Sequence, residues 1–465
     1  MNKIYNIVWN ESSGMWVVTS ELTRKGGQRH RKIKRTMLAG LIAGLMLPTV
    51  PALAQVFNDK ILDYSSSMSL SAGDSAFNTT IDGGEQYVSS GGSAISTTIN
   101  DGAQIIFNGG TASTTTINGG YQDISSGGSV TNTLISGGEQ RVSSGGSAVD
   151  TTIEEGLQTV LNGGNVSGTH ISGGDQYISD GGSATNTVID GGTQYISSGG
   201  NAIETTIENG FQEVSNGGNA TGTTINGGFQ NISSGGSATS TIINAGFQEV
   251  SSGGSATSTT INAGVQALYD SSIASGTVIN NGFQLISSGG SAINTTIKGG
   301  FQEVSDGGRA IETTITSGWQ DVLSGGVATE TLIVGGVQTI YDGGSASEIT
   351  INSGYQVISS GGSVTTTTIY RGGEQSITNA GLATGTIIRG GEQRVSSGGS
   401  AVDTTIEGGL QTVFSGGSVS GTLINTGEQQ VSSGGSAVDT TIEGGLQTVF
   451  SGGSVSGTLI NTGEQ

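Results

Sequence analysis

The 465-residue chain holds 85 Gly and 2 Pro, no Cys, only 11% charged residues and a formal net charge of −21. The lack of Cys excludes a disulfide framework and thiolate metal sites, and the acidity excludes an electrostatic nucleic-acid binder. Gly, Ser and Thr in this abundance are the composition of a flexible linker. Yet Ile and Val recur at fixed spacing, which a disordered chain lacks.

The first element in chain order is a leader. Arg24, Lys25, Arg29, Arg31, Lys32, Lys34 and Arg35 precede the apolar run "MLAGLIAGLMLPTVPALA", which ends at Ala52-Leu53-Ala54 before Gln55. A basic region, an apolar core and a small-x-small end form a secretory signal over 1–54, with cleavage expected after Ala54. Pro48, Pro51 and the shortness of the run argue against a transmembrane anchor. Of the 15 basic and 36 acidic residues, eight and two lie before residue 55, leaving 7 against 34 and a net charge of −27.

Residues 55–77 read as a lead-in or cap, and 78–465 as a repeat. Gln86, Gln104, Gln122 and Gln140 open a series that continues every 18 residues to Gln356. One extra residue near Tyr370-Arg371 shifts the frame, and the series resumes from Gln375 to Gln465, giving 22 glutamines. Two residues after each Gln stands Val, Ile or once Leu, and eight after it Ala or Val. Eleven after it stands Thr, with Ile349 the one exception, and thirteen after it Ile at all 21 available positions.

Each unit reads as a strand (x-Gln-x-Val), a Gly-Gly bend, a second strand (Thr-x-Ile) and another bend. Period-2 alternation puts Gln with Val, and Thr with Ile, on one face, and Gly supplies the positive φ of tight corners. Ordering 18 backbones costs roughly 1–2 kcal/mol per residue. The few aliphatic side chains of one coil contribute roughly 1.5–3 kcal/mol each, so a coil alone does not fold. Stacked coils share ladders of hydrogen bonds and like side chains. The predicted fold is all-β, a parallel β-solenoid of about 21 coils of 18 residues, with a Gln amide ladder and an inward or corner Thr ladder.

No convergent catalytic, metal or cofactor site is visible. After the leader the one histidine, His170, falls on an outward strand position. "AGDSAF" at 72–77 has a Gly-Asp-Ser triplet but no following Gly and no histidine base, and reads as a turn. The acids Glu85, Asp123, Glu213, Glu303 and Asp321 read as scattered along the rod, unlike the clustered carboxylates of polysaccharide-cleaving β-helices. Two surface features stand out. The residue before Gln is aromatic at Phe211, Phe229, Phe247, Phe283, Phe301, Trp319 and Tyr355, interrupted by Val265 and Val337. It forms either an intramolecular ladder or a contact stripe for another rod or a host surface. The corner phrase "SSGGS" offers dense hydroxyls, as turn chemistry or as a modification surface.

Two motifs carry a family resemblance. The opening "MNKIYNIVWNESSGMWVVTSELTRKG" resembles the extended signal-peptide region of large Gram-negative autotransporters. The repeat x-G-G-x-Q-x-V-S-S-G-G-x-A-x-x-T-x-I resembles the passengers of AIDA-type self-associating adhesins, the glycosylated TibA-like branch especially. Together they cover about 90% of the chain. The resemblance implies a right-handed β-helix exported through the inner membrane and periplasm and held at the outer membrane or secreted. It also implies host-cell attachment, autoaggregation and biofilm formation, so the expected partners are the chain itself, a host receptor or glycan, and the export machinery. It further implies a cytoplasmic heptosyltransferase acting on corner serines such as Ser89, Ser90, Ser125, Ser126, Ser143 and Ser144.

Family members end in a membrane β-barrel, which is not visible here. Residues 392–427 and 428–463 are identical except Arg394 against Gln430, and the chain stops inside the repeat. A fragment lacking a C-terminal cap and barrel is therefore expected. Two other classes compete with the adhesin: a β-helix enzyme acting on polysaccharide, and a purely structural surface-matrix or ice-ordering rod. The position twelve after Gln varies among Thr98, Leu134, His170, Val188 and Ile242, which leaves no flat Thr array for ordering ice.

Overall fold

A computed structural model describes residues 53–465, together with the strands Tyr5–Asn10 and Met15–Ser20 of the leader. The chain divides into two units, Met1–Leu53 and Ala54–Gln465. In the first, Tyr5–Asn10 and Met15–Ser20 pair antiparallel, with Trp9 opposite Trp16. The basic cluster and the apolar run as far as Ala52 lie outside the described residues.

The second unit is a parallel β-solenoid of about 22 turns. The coil that starts at Phe247 shows its construction. A four-residue glutamine strand (Phe247–Val250) is followed by a three-residue alanine strand (Ser255–Thr257) and a two-residue isoleucine strand (Thr260–Ile261). Each pairs with its counterpart 18 residues earlier: Gln248 with Gln230, Ala256 with Ala238, Ile261 with Ile243. The sequence reading of two strands per coil is thereby corrected to three. The alanine strand escaped it because Ser255-Ala256-Thr257 lies between glycines and serines and reads as a continuation of the bend.

Pleating turns alternate side chains inward. In this coil Gln248, Val250, Ala256, Thr259 and Ile261 are buried, and of the residues between them only Gly254 is. Ile349, in the Thr column, is buried as well, so that column faces the interior. Residues from Val56 onward already pair in parallel with the coil above them. There Met68 stands in the glutamine column, and its sulfur accepts from Gln86 Nε2 at 3.6 Å.

The interior is polar along the glutamine and threonine columns, whose side chains hydrogen-bond to one another. Gln248 Nε2 donates to Gln230 Oε1 at 2.7 Å. Gln248 Oε1 accepts from Gln266 Nε2 at 2.7 Å and from the Thr259 hydroxyl at 3.2 Å. The ladder crosses the inserted residue without a break, because Gln375 Nε2 reaches Gln356 Oε1 at 2.7 Å. The insertion is absorbed in the corner between Ile369 and Glu374, where the Gly373 N–H donates to the Tyr370 carbonyl.

The corners differ from expectation. In Ser252-Gly253-Gly254 the left-handed residues are Ser252 (φ 46°) and Gly253 (φ 75°). Gly254 has no positive φ; a Cβ there would stand 2.4 Å from the Ile232 carbonyl oxygen of the coil below. The pair thus serves two purposes, a turn and a close coil-to-coil approach. Ser271-Ser272 replaces one such pair, leaving the Ser272 hydroxyl buried without a partner. The corner between the alanine and isoleucine strands also needs a left-handed residue. Asn132, Asp150, Ser258 and Glu312 take φ between 54° and 57° there, a region that Asn, Asp and Gly tolerate best.

Gln248→Ala would strand the Gln266 amide and the Thr259 hydroxyl in the core and open a cavity, at a cost of about 3 kcal/mol or more. Gln248→Met, which repeats the arrangement at Met68, should cost less. Native-state hydrogen exchange of the amides between 230 and 266 reads both: protection should fall locally for Ala and be largely kept for Met.

Candidate contact face

Because Gln and Val point inward, residues one before, one after and three after each Gln form the outer face of the glutamine strands. Strict register stacks them into columns. The first column contains the aromatic stripe. Phe211, Phe229, Phe247, Phe283, Trp319 and Tyr355 are exposed and Phe301 is half-buried. Phe211–Phe229 and Phe229–Phe247 stack with ring centroids 5.3 Å apart and planes within 12° and 10° of parallel. Phe283–Phe301 are 6.1 Å apart and tilted by 55°. The stripe is thus an intramolecular ladder and an exposed apolar strip at once.

The acids share a face. Asp123, Glu213, Glu303 and Asp321 stand in the column one after Gln, and Glu85 lies in the column one before it. Along the rod they stay spread, with Tyr177, Asn231, Ala267 and Leu285 between them in the first of these columns. Glu249 belongs to the same column. Burial holds the carboxyls of Glu213 and Asp321 above the usual carboxylate range; Asn231, donating to Glu213 at 2.6 Å, offsets part of that for Glu213. Nearer the N-terminal end the column carries Tyr177 and Tyr195, stacked at 4.6 Å. This pair was missed, although its 18-residue spacing stands in the sequence.

At two places the rod fills this face with its own arginines. Arg141 lies 4.9 Å from the Tyr121 ring centroid and pairs with Glu139 and with Asp123 at 3.9 Å. Arg394 lies 5.7 Å from the Phe414 centroid and pairs with Glu392 at 3.5 Å and Glu374 at 3.8 Å. The hydrogen bond from Arg141 lowers the pKa of Glu139, and the same bond raises that of Arg141.

The remaining sequence candidates are placed as follows. Ser89, Ser125 and Ser143 are half-buried at the end of the glutamine strands, and Ser90, Ser126 and Ser144 are exposed at the corners with φ of 48° to 50°. His170 is exposed. Asp74 of "AGDSAF" accepts from the Gln55 and Ser71 backbone N–H groups at 2.7 and 3.1 Å, which makes the segment a turn. Ala54 and Gln55, flanking the expected cleavage point, are exposed. A second, outer amide ladder runs Asn280 to Asn262 to Asn244 to Asn226 at 2.8 Å per rung. It too was readable, as Asn recurring fourteen after Gln. Among the described residues no three His, Cys, Asp or Glu converge as metal ligands.

Comparison with known proteins bears on the leader first. Residues 1–49 match the model of the Extended Signal Peptide of Type V secretion system. Over 92 residues the chain is 65% identical to the autotransporter adhesin/invasin TibA of Escherichia coli O78:H11 (strain H10407 / ETEC), covering 19% of this chain and 9% of TibA. Over 92 residues it is 67% identical to the autotransporter CRAC of Citrobacter rodentium (strain ICC168), covering 19% and 6%. This chain carries a type V leader and resembles the TibA-like autotransporter adhesins. It spans less than a tenth of the length of either relative. A crystal structure of a TibC-catalysed hyper-glycosylated TibA fragment aligns at 31% identity over 88% of this chain and 100% of the fragment, with a TM-score of 0.24. The type V leader directs the chain to export, toward the cell surface or outer membrane.

Glu213 offers a check on the electrostatics of the face. Its raised folded-state pKa means that the folded chain binds a proton more readily than the unfolded one, so ionised Glu213 weakens folding as pH rises through that pKa. Glu213→Gln should therefore raise the denaturation midpoint at neutral pH. The gain should shrink as pH falls through the carboxylate range, as read by denaturant titrations at several pH values.

Proposed function

We propose that the chain is the rod of a surface-displayed adhesin that mediates host-cell attachment, autoaggregation and biofilm formation. One observation carries this reading. The outer columns repeat in register along the whole solenoid, about 100 Å at about 4.8 Å per coil. A surface of that kind sums many weak contacts into avidity when two rods lie side by side or a rod lies on a host surface. The adhesin names of the relatives support it. The partners are another copy of the rod and a host receptor or glycan.

We further propose glycosylation of the corner hydroxyls by a cytoplasmic heptosyltransferase before export, with Ser90, Ser126 and Ser144 better presented than Ser89, Ser125 and Ser143. Their exposure at the corners supports that order. The enzymatic alternative draws on one observation: Glu303 and Asp321 stand in adjacent coils beside Phe301 and Trp319. A polysaccharide-degradation screen on the purified rod tests it, and turnover lost in Glu303→Gln would favour it over the adhesin.

Cells displaying the rod should clump and should not recruit non-displaying cells into the clumps. Clumping unchanged after deletion of residues 78–465 would refute the reading. Mass spectrometry of the exported rod should find sugar mass additions on peptides holding the corner serines.

A further inference from the structure

The aromatic column gives way to a small side chain at three places, Thr193, Val265 and Val337. The Phe211–Phe229–Phe247 stack stops at Thr193 below and at Val265 above, and Trp319 borders Val337. At each break a ring face that would be covered by the next ring meets only a small side chain. Thr193, Val265 and Val337 lie 72 residues apart, which is four coils or about 19 Å. Beside each break stands a carboxylate, two residues beyond the bordering ring on the same strand: Glu213 after Phe211, Glu249 after Phe247, Asp321 after Trp319. Neighbours two apart on a strand share a face, so ring and carboxylate open onto the same depression. The first is a shallow hollow lined by Thr193, Tyr195, Phe211 and Glu213.

The rod itself shows what such a place holds. Arg141 and Arg394 each combine an aromatic ring with two carboxylates on this same face. In the middle stretch no such arginine is supplied. Among the described residues Glu213, Glu249 and Asp321 have no ion-pair partner, and the basic residues between Arg141 and Arg371 are Lys298 and Arg309, both on other strands or corners. Glu213 and Asp321 are held above the usual carboxylate range by burial, a cost that a neighbouring cation would relieve.

We propose that the face from Thr193 to Val337 binds an extended cationic polypeptide. Its arginine side chains enter the three breaks in the aromatic column, each planar guanidinium against a ring face and its charge on the adjacent carboxylate. Guanidinium suits this better than other cations, because it is planar, weakly hydrated and stacks on aromatic faces. An aminated sugar carries its ammonium directly on a bulky ring and lacks the slender stem needed to enter a break one coil wide. The three breaks span about 40 Å, the reach of roughly a dozen extended residues. The inference stands on this face alone, whether or not the rod is an adhesin.

Fluorescence anisotropy of a labelled dodecapeptide of alternating Arg and Ser, titrated with the full chain at about 150 mM salt, tests it. Saturable binding is expected. The combined variant Thr193→Phe, Val265→Phe, Val337→Phe covers the ring faces and keeps every charge, and a neighbouring coil already carries an aromatic ring in that column at each place. It should weaken binding about tenfold or more. Glu213→Gln, Glu249→Gln, Asp321→Asn should weaken it at least as much. Glu312→Gln, Glu330→Gln, Glu348→Gln, which removes three charges from the corners, should change it less than about twofold. No saturable binding to the parent, undiminished binding to the Phe variant, or an equal loss in the corner variant would overturn the proposal. So would a partly deacetylated chitin oligomer that binds with the same variant dependence while the arginine peptide does not.

Discussion

Everything in the solenoid depends on one interaction, the buried hydrogen bond from each Gln side chain to the Gln one coil below. A primary amide has donors on one side and an acceptor on the other, so a column of amides in register satisfies itself along the rod axis. The rungs from Gln104 to Gln465 span 2.5–2.8 Å. The Thr hydroxyls donate sideways to the same oxygens. Such a column tolerates no slip of register, because a one-residue shift would bury the outward residue in its place. It therefore fixes the alignment of every other column, inside and out.

The outer face inherits that alignment. Side chains with no interior duty are held at coil spacing whether they are phenylalanines, glutamates or serines. This is why an aromatic stripe can run for many coils, with carboxylates set beside it, without a core of its own. It also explains why a break in the stripe is a defined place: the residues around it cannot shift to close it. Exposed apolar surface of this length normally signals contact with something else. On this rod the rings are partly covered by one another and uncovered at the breaks, where unpaired carboxylates stand beside them.

Much of this was legible in the sequence. Gln248, Val250, Thr259 and Ile261 belong to columns so strict that spacing alone gave their direction, and Ile349 in the Thr column pointed to burial. The alanine strand was not legible, because a small Ala between Ser, Thr and Gly carries no strand preference and reads as part of the bend. The left-handed corner held by Asn132, Asp150 and Glu312 was hidden by its mixed occupancy, since several residue types tolerate that φ. That Asp123, Glu213, Glu303 and Asp321 share one face was hidden by their linear distance, since they stand in one column but, Glu303 and Asp321 apart, many coils from one another. The second glycine of each pair seemed a turn residue, although Gly254 is there because a carbonyl oxygen of the coil below leaves no space for a Cβ.

The central claim is that a coil folds only through its neighbours. The most direct test compares fragments of one, three, six and twelve consecutive coils from the middle of the rod by circular dichroism and denaturant titration. A single 18-residue coil should be unfolded, and the midpoint should rise with coil number before levelling off as end effects dilute. A folded single coil, or a midpoint independent of coil number, would contradict the account.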